Sequence, residues 1–398
     1  MKPRIFIAIH YLELGGAEIS LIGLLNAIDT SRYDVDLFVY SHCGELMKMI
    51  PSGIHLLPEI KQYAQIERPI KEVLKQGGWK IALARLWAKY QYKQYVKRNH
   101  PKEGSAIFQY VFDTVTPLLP DLYGYGEYDL AISFLTPHNI VTEKVRAKKK
   151  VAWIHTDYIR ICVDIKKELP VWSKFDKIVS ISSDVTKSFL QVFPSLSDKI
   201  VEINNILSSL FVQKRAEEFS VSFTEEERRI NLLSVGRYTF AKNYDNVPDI
   251  CRRIREMGCN VYWYIIGYGG DEALIRSKIE EAGMKDYVIL LGKKENPYPY
   301  MKACDMYVQP SRFEGNSVTV REAQMLCKPV VVTDYPTAGS QIKQGVDGVI
   351  VPLDNAKCAQ GIAEVIRNKD LQSKLTAYLQ THDYGNEREV EKLYQLIR

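Results

Sequence analysis

The stretch from Arg4 to Tyr40, RIFIAIHYLELGGAEISLIGLLNAIDTSRYDVDLFVY, decides the fold class. Its first six residues, RIFIAI, form a short apolar run that is typical of a buried strand. The run GGAEISLIGLLNAI follows, and its apolar residues recur at three-residue intervals from Ile19 to Ile28, which predicts a helix. A second apolar run, DVDLFVY, predicts another strand. Strand, helix and strand in this order indicate a βαβ unit in a parallel sheet.

The same alternation returns in the second half of the chain. The runs RINLLSVG, VYWYIIG, YVILLG, MYVQP and PVVVTD predict strands, and helical patterns lie between most of them. Polar and charged residues interrupt this rhythm between Asn205 and Glu227, which indicates a domain junction. We therefore expect an N-terminal domain over 1–206 and a C-terminal domain over 207–384, with a helix over 385–398 that packs back on the first.

Composition excludes several classes of protein. The 398 residues are 46% hydrophobic and 25% charged, which is ordinary globular usage and excludes a disordered chain. The net charge of +5 is small for this length, so no nucleic acid partner is expected. The seven cysteines are scattered without a C-x-x-C pair, which favours a reducing cytoplasm over a zinc site or a disulfide framework. No segment has the pattern of a signal peptide or of a membrane span.

One segment, residues 71–102, departs from the α/β pattern and is called the basic segment below. It contains nine Lys and Arg residues against the single acid Glu72. Apolar residues recur at helical spacing on one side, and Lys89, Lys93 and Lys97 follow at four-residue intervals on another. The apolar set is Trp79, Leu83, Leu86, Trp87 and Tyr90. This pattern suits a helix on the anionic inner face of the cell membrane, and equally a helix that covers the first sheet with its lysines in water.

The stretch PSRFEGNSVTVREAQMLCKPVVVTD, from Pro310 to Asp334, has the pattern of a phosphate site. A strand ends before it, and a helix is expected to start near Asn316 or Ser317, with Ser317 as its N-cap. Free amides at that helix start suit a phosphate. Glu322 lies roughly 7 to 8 Å further along the helix, at about 1.5 Å per residue, within reach of the ribose of a nucleotide. The alternative is that these are ordinary surface residues.

Two further turns carry candidate ligand-binding residues. In SVGRYTFAKN a strand ends at Gly236, and it is followed by Arg237 and by Lys242, which are suited to a diphosphate unless they are merely solvated loop cations. In LELGGAE the pair Gly15 and Gly16 opens the first helix and allows the backbone to approach a ligand closely, or it is only a tight turn.

Taken in order, these motifs resemble the retaining nucleotide-sugar glycosyltransferases of the GT-B fold, in the group-1 family also called GT4. The matching motifs are Gly15-Gly16-Ala17-Glu18, Gly236-Arg237, Lys242-Asn243, Pro310-Ser311, Glu314-Gly315 and Glu322-Ala323. The resemblance covers most of the C-terminal half, and the N-terminal half mainly in its first loop and around His155. The sequence departs from the family pattern at Asn205, Gln324 and Cys327, which blurs the identity of the base and of the sugar.

The resemblance implies a role for each matching residue. Arg237 and Lys242 would bind the donor diphosphate, and Glu322 would bind the ribose hydroxyls. Glu314 would lie near the donor sugar, and Gly16 would line the phosphate side of the cleft from the other domain. Amides at the helix start would assist, namely those of Asn316, Ser317 and Val318. His155 would approach the donor sugar, although a buried structural histidine is a second interpretation.

The resemblance also implies the fold and the reaction. The expected fold is α/β of the GT-B type, with two Rossmann-like domains whose parallel sheets face a cleft. The expected reaction moves a sugar, with retention, from a nucleotide-sugar such as a UDP-sugar to a glycan or lipid-linked acceptor of a surface polysaccharide. No cofactor and no metal are expected, and we interpret Asp34 and Asp36 of a D-x-D pattern as structural. The alternatives are a nucleotide-sugar 2-epimerase on the same fold and a noncatalytic partner subunit.

Overall fold

The computed structural model describes residues 2–13, 15–101, 103–159, 161–223, 229–314 and 317–397. The chain divides into two compact units. The first, here the N-terminal unit, consists of Met1–Leu207 together with Asn386–Arg398, and the second, the C-terminal unit, is Ser208–Gly385.

Each unit is built around one parallel sheet. The strands in the described residues are β1 (Arg4–Ile9), β2 (Asp34–Val39), β3 (His55–Leu56), β4 (Glu127–Ser133), β5 (Arg146–Ile154), β6 (Lys177–Ser180), β7 (Ile200–Glu202), β8 (Ile230–Val235), β9 (Val261–Ile266), β10 (Val288–Gly292), β11 (Met306–Gln309), β12 (Val330–Thr333) and β13 (Val349–Val351). Most of these strands are apolar on both faces, as expected when helices cover both sides of a parallel sheet.

Helices connect the strands and cover the sheets. In the described residues they are α1 (Gly16–Ala27), α2 (Lys61–Ala64), α3 (Ile70–Lys75), α4 (Trp79–Asn99), α5 (Ile107–Val115), α6 (Asn139–Lys144), α7 (Ile165–Ser173), α8 (Ser183–Val192), α9 (Ser209–Ala216), α10 (Val247–Glu256), α11 (Glu272–Glu281), α12 (Tyr298–Ala303), α13 (Val318–Met325), α14 (Ala338–Gln341), α15 (Asn355–Arg367), α16 (Lys369–Thr381) and α17 (Val390–Gln395). Within the described part of the chain, none of them is both long enough and apolar enough to span a bilayer.

The strand orders identify where each unit is suited to bind a ligand. The N-terminal sheet runs β3-β2-β1-β4-β5-β6-β7 and the C-terminal sheet β10-β9-β8-β11-β12-β13 in the described residues. In both, the order reverses after the first strand of the unit, between β1 and β4 and between β8 and β11. In open α/β sheets ligands bind outside the carboxyl ends of the strands at such a reversal. The expected fold class, two Rossmann-like α/β domains, is confirmed.

The first βαβ unit forms where the sequence predicts it. β1 pairs in parallel with β2, and Ile5 and Ile7 lie opposite Val35 and Leu37. The side chains of β1 beyond Arg4 are fully buried, because β1 lies between β2 and β4 in the middle of its sheet.

The basic segment differs from the expected single helix. It forms two helices, α3 and α4, and Gly77 lies between them with a φ of 78°. That backbone conformation favours glycine, because a side chain clashes there. The chain therefore turns after Lys75 before the long helix begins at Trp79, and Lys102 lies outside the described residues.

The C-terminal helix α17 packs on the N-terminal unit. Tyr394 stacks on Tyr33 with ring centroids 4.3 Å apart. Its hydroxyl also accepts a hydrogen bond of 2.8 Å from the amide of Asp29. The backbone amide of Asn386 donates to the carbonyl of Leu207. This hydrogen bond joins the two chain segments of the N-terminal unit, which end at Leu207 and begin at Asn386.

Candidate active site

The C-terminal unit brings two predicted motifs to its strand reversal. Arg237 and Lys242 follow β8, and Glu314 follows β11, the strand that pairs with β8. Arg237 is exposed and makes no hydrogen bond or ion pair with the described residues. Its guanidinium is therefore available to an anion at the carboxyl edge of this sheet.

Lys242 and Glu314 form a partly buried ion pair. Lys242 Nζ lies 2.6 Å from Glu314 Oε1, and their side chains are 18% and 11% exposed. The same carboxylate oxygen accepts hydrogen bonds from Ser311 Oγ at 2.5 Å and Gln309 Nε2 at 2.9 Å. Ser311 and Gln309 are fully buried. These contacts fix Glu314 in one position, and Glu314 fixes the ammonium of Lys242.

A second ion pair joins the two loops that carry these residues. Arg312 forms a bidentate pair with Asp245, with distances of 2.9 and 2.7 Å. The Arg312 amide also donates to the carbonyl of Ala241, immediately before Lys242. Bidentate arginine pairs add geometric specificity to charge attraction. The loop of Glu314 and the turn of Lys242 are thus held together by contacts that the sequence did not indicate.

Two glycines of the stretch GYGGDE, residues 267–272 after β9, allow its backbone to pack against the loop that carries Arg237. A Cβ on Gly267 would lie 1.9 Å from the carbonyl oxygen of Gly236, and a Cβ on Gly269 would lie 2.3 Å from that of Tyr238. No side chain fits at such distances. Close backbone packing beside Arg237 accounts for Gly267 and Gly269.

The start of α13 lies beside this cluster. Ser317 occupies the N-cap position, as expected, but its side chain makes no capping hydrogen bond, so that part of the prediction is wrong. Its hydroxyl lies 3.2 Å from that of Thr319. The Ser317 amide donates to Gln341 Oε1 at 3.2 Å and its carbonyl accepts from Gln341 Nε2 at 2.6 Å, so the predicted Ser317 amide already has a partner. Without a side-chain cap, the first amides of α13, including that of Val318, can meet an anion. The predicted residue Asn316, and Gly315, lie outside the described residues.

Glu322 lies in the second turn of α13 and is almost fully buried. Burial raises the pKa of its carboxyl to about 7, and the hydroxyl of Tyr298 opposes this by donating a 2.7 Å hydrogen bond to Oε1. Oε2 receives no hydrogen bond from the described residues. Tyr298, from α12, is a site residue that sequence reasoning missed, because the contact joins two helices that only the fold brings together.

The predicted glycines of the N-terminal unit lie at the start of α1. Gly15 is the N-cap residue, with a φ of −132° that any residue adopts. A Cβ on Gly15 would meet the carboxylate of Glu18 at 2.1 Å, whereas a Cβ on Gly16 would meet nothing within 4 Å. Backbone strain therefore does not explain Gly16. The space in front of it is open, as close approach of a ligand requires.

His155 follows β5 in the N-terminal unit, at the carboxyl edge of that sheet. Its ring packs on Phe134 with centroids 4.6 Å apart. Burial lowers the pKa of the imidazole to about 3, so it is neutral at physiological pH. Its Nε2 is buried and has no hydrogen-bond partner among the described residues. A neutral ring with an unused nitrogen fits either interpretation of this histidine.

The aspartates of the D-x-D pattern lie at the amino end of β2, at the edge of the sheet opposite the carboxyl-end loops. Asp36 accepts hydrogen bonds from Arg4 at 3.0 Å and from the hydroxyl of Tyr128 at 2.6 Å, and it pairs with His55 at 2.7 Å. These three contacts, all within the N-terminal unit, hold the Asp36 carboxylate in place.

A pocket of about 190 Å³ lies beyond the carboxyl ends of β1 and β2, and sequence reasoning missed it. Its walls include His10, Tyr11, Tyr40, Glu67 and Arg68. Tyr40 is 2% exposed, and its hydroxyl has no hydrogen-bond partner among the described residues. Apolar walls with a few polar groups are typical of small-molecule sites.

The fold agrees with the expectation from the sequence. The two α/β units, each built around one parallel sheet, have the fold of the GT-B structures. Residues 215–382 match the family described as "Glycosyl transferases group 1", so the C-terminal unit is a group 1 glycosyltransferase domain. The resemblance predicted from the sequence is confirmed.

Individual relatives agree with this assignment. The amylovoran biosynthesis glycosyltransferase AmsD of Erwinia amylovora is 24% identical over 225 residues, which are 56% of this chain and 62% of that protein. The N-acetylgalactosamine-N,N'-diacetylbacillosaminyl-diphospho-undecaprenol 4-alpha-N-acetylgalactosaminyltransferase of Campylobacter jejuni is 27% identical over 206 residues, 51% of this chain and 54% of that protein. The chain thus spans little more than half the length of these curated relatives. Anabaena HepE in complex with UDP shares the fold over 99% of both chains, with a TM-score of 0.59 at 15% identity.

Proposed function

We propose that this protein transfers a sugar from a nucleoside-diphosphate sugar to a growing surface glycan, with retention at the anomeric carbon. The observation that carries the proposal is the cluster at the strand reversal of the C-terminal unit. There the exposed cation Arg237, the fixed cation Lys242 and the uncapped start of α13 lie at one edge of the sheet. These groups suit the two phosphates of a nucleotide-sugar.

The chemistry needs such groups because a diphosphate must leave. As the bond to the anomeric carbon breaks, positive charge grows on the sugar and negative charge on the leaving diphosphate. Fixed cations and helix-start amides stabilise that negative charge without having to reorganise. In this proposal Arg237, Lys242 and the amide of Val318 bind the diphosphate. Glu314 orients Lys242 and lies near the donor sugar, and Glu322 accepts hydrogen bonds from the ribose.

Two relatives favour particular substrates. HepE is in complex with UDP, which supports a UDP-sugar as the donor. The name of the C. jejuni enzyme contains diphospho-undecaprenol, which supports a lipid-linked acceptor at the inner face of the membrane. The family resemblance assigns Gly16 of the N-terminal unit to the donor phosphates and His155 to the donor sugar. The pocket around Tyr40 would receive a sugar of the acceptor, with the Tyr40 hydroxyl as a donor.

Nucleotide binding tests the donor site first. In a thermal-denaturation series with UDP, GDP and ADP, we expect one nucleotide to stabilise the protein by about 2.7 kcal/mol at a hundred times its dissociation constant. Arg237→Ala and Lys242→Ala should each lose most of that stabilisation, because each removes a cation that binds the diphosphate. The matched control is Arg276→Ala, which removes an exposed cation of α11 whose one ion-pair partner among the described residues is Glu272.

Turnover then separates transfer from the alternatives. With the matching nucleotide-sugar and a lipid-linked acceptor, we expect both variants to lose about a hundredfold or more in rate. Conversion of the nucleotide-sugar without any acceptor would instead identify a 2-epimerase. Normal turnover in both variants would refute the diphosphate assignment, and failure of all three nucleotides to stabilise the wild type would refute the donor site.

A further inference from the structure

The long helix α4 exposes a row of large apolar side chains. Trp79, Leu83, Leu86, Trp87 and Tyr90 are 57%, 56%, 50%, 54% and 53% exposed. We call these five residues the α4 stripe. At 3.6 residues per turn they fall within an arc of about 100° on one side of the helix. Large exposed apolar patches on a folded protein mark interaction sites.

The opposite side of α4 holds the helix on its own unit. Ile81 and Ala88 are buried there, and Ala82 is buried at the flank next to it. Ile81 and Ala82 belong to the core of the N-terminal unit. The sequence left two interpretations open, a helix that covers the sheet and a helix that meets a membrane. The helix has one face for packing on its unit and another that is free to meet a membrane. The packing face uses small and aliphatic residues, and both tryptophans remain exposed to solvent.

Positive charge borders the α4 stripe. Lys80 lies along one edge, Lys89 and Lys93 lie along the other, and Lys97 continues the line of the stripe beyond Tyr90. All four lysines are exposed, and none has an ion-pair partner in the part of the chain that the structure describes. An apolar row with tryptophans, bordered by unpaired lysines, complements an anionic bilayer, in which the rings enter the headgroup layer and the ammonium groups meet lipid phosphates.

We propose that the α4 stripe and its bordering lysines dock this protein on an anionic lipid bilayer, with α4 lying in the plane of the surface. The proposal deepens the proposed function and rests on it for its purpose, since a lipid-linked acceptor cannot leave the membrane. A bilayer satisfies the row of unpaired lysines, whereas a second copy of this chain would bring the same lysines against one another.

Arg85 connects this face to the pocket around Tyr40. The Arg85 guanidinium, on α4, donates hydrogen bonds to the carbonyls of Gln65 and Arg68. Arg68 and its neighbour Glu67 form part of the pocket wall. The helix that meets the bilayer is therefore bonded to the wall of the pocket to which we assign the acceptor sugar.

Vesicle co-sedimentation tests the docking. We expect the protein to bind vesicles that mix phosphatidylcholine with anionic phosphatidylglycerol. Binding should be much weaker to vesicles of neutral phosphatidylcholine alone, and much weaker at high salt. Reversing Lys89, Lys93 and Lys97 to Glu should lower the partition coefficient about a hundredfold or more, because each lysine near an anionic surface contributes roughly fivefold. The matched control reverses the exposed lysines Lys357, Lys369 and Lys374 of the C-terminal unit and should leave binding nearly unchanged.

Tryptophan fluorescence identifies the inserted face. Three of the five tryptophans, Trp153, Trp172 and Trp263, are buried, whereas Trp79 and Trp87 are exposed. Lipids brominated on the acyl chain should therefore quench the emission of wild type, and should quench much less in Trp79→Phe/Trp87→Phe. Leu83→Ser/Leu86→Ser should weaken vesicle binding, and its melting temperature checks that it folds.

The outcomes separate this proposal from the donor site. If the triple lysine reversal loses vesicle binding but is still stabilised by UDP, docking by the α4 stripe is supported. Vesicle binding that ignores lipid charge, salt and the triple reversal overturns the proposal and leaves the donor site untouched. A dimer that dissociates in Leu83→Ser/Leu86→Ser also overturns it, because the stripe would then join two copies. Failure of nucleotide binding with vesicle binding intact refutes the proposed function alone.

Discussion

At the scale of single residues, the candidate donor site depends on side chains whose position is set by neighbours. Lys242 is held by Glu314, and Glu314 is held by Ser311 and Gln309. Glu322 is held by Tyr298. Preorganised charge of this kind has to be present before the substrate arrives, because reorganisation during the reaction would add to the barrier.

The carboxyl of Glu322 predicts a pH dependence of stability. Its pKa is raised from 4.5 to about 7 by burial. A raised carboxyl pKa favours the folded state fully below about pH 4.5, and this contribution is lost as the pH rises through about 7, because the folded protein then has to bury an ionised group.

Relative to Glu322→Gln, the free energy of unfolding of the wild type should therefore fall between pH 5 and pH 8, by up to about 3 kcal/mol. Urea denaturation of both proteins across this range measures it. A difference that stays constant with pH would contradict the raised pKa, and a difference that grows with pH would mean that the carboxylate is stabilised by a partner.

At the scale of secondary-structure elements, short helices are held by specific contacts. The clearest case is α17, which has only six residues and whose Tyr394 stacks on Tyr33 and bonds the amide of Asp29. Isolated helices of this length are not stable in water, so tertiary packing must hold it. The end of the chain thereby becomes part of the N-terminal unit.

Tyr394→Ala should destabilise the N-terminal unit by about 3 kcal/mol, because it removes a buried aromatic ring and leaves a cavity. Tyr394→Phe keeps the stack on Tyr33 and loses only the hydrogen bond, for a cost of about 1 kcal/mol. Chemical denaturation followed by tryptophan fluorescence compares the two. Equal effects of Ala and Phe would show that stacking contributes nothing.

At the scale of the whole molecule, both units repeat one architecture and differ in what they place at the strand reversal. The C-terminal unit places the exposed cation Arg237 and the fixed cation Lys242 there, whereas the N-terminal unit places the glycines of α1 and an aromatic pocket. In the proposed reaction the charge of the diphosphate is met by Arg237 and Lys242. This division predicts a transferase that does not depend on a divalent ion.

We therefore expect a chelator to leave the initial rate of sugar transfer nearly unchanged. Asp34→Asn should change neither the rate nor the response to metal, because Asp34 is exposed at the amino end of β2. Initial rates with EDTA, and with EDTA followed by manganese, measure this. Activity that EDTA abolishes and manganese restores would contradict the prediction.

The sequence by itself determined the fold class and most candidate residues of the C-terminal unit. The period of the apolar residues indicates strands and helices, and residues just after a buried strand must lie at the carboxyl edge of the sheet. Arg237, Lys242 and Glu314 could be named for that reason. The division of the chain near residue 207 lies inside the stretch where the alternation is interrupted. The roles of these residues remain predictions.

Only the tertiary structure decided which side chains meet and which are exposed. The pairs Tyr298 with Glu322 and Arg312 with Asp245 join segments that are 24 and 67 residues apart. Two further features could not be predicted either: the Tyr40 hydroxyl has no hydrogen-bond partner in the part of the chain that the structure describes, and the α4 stripe is exposed. A helical pattern states that residues share a face, and whether that face is covered depends on distant parts of the chain that local periodicity does not describe.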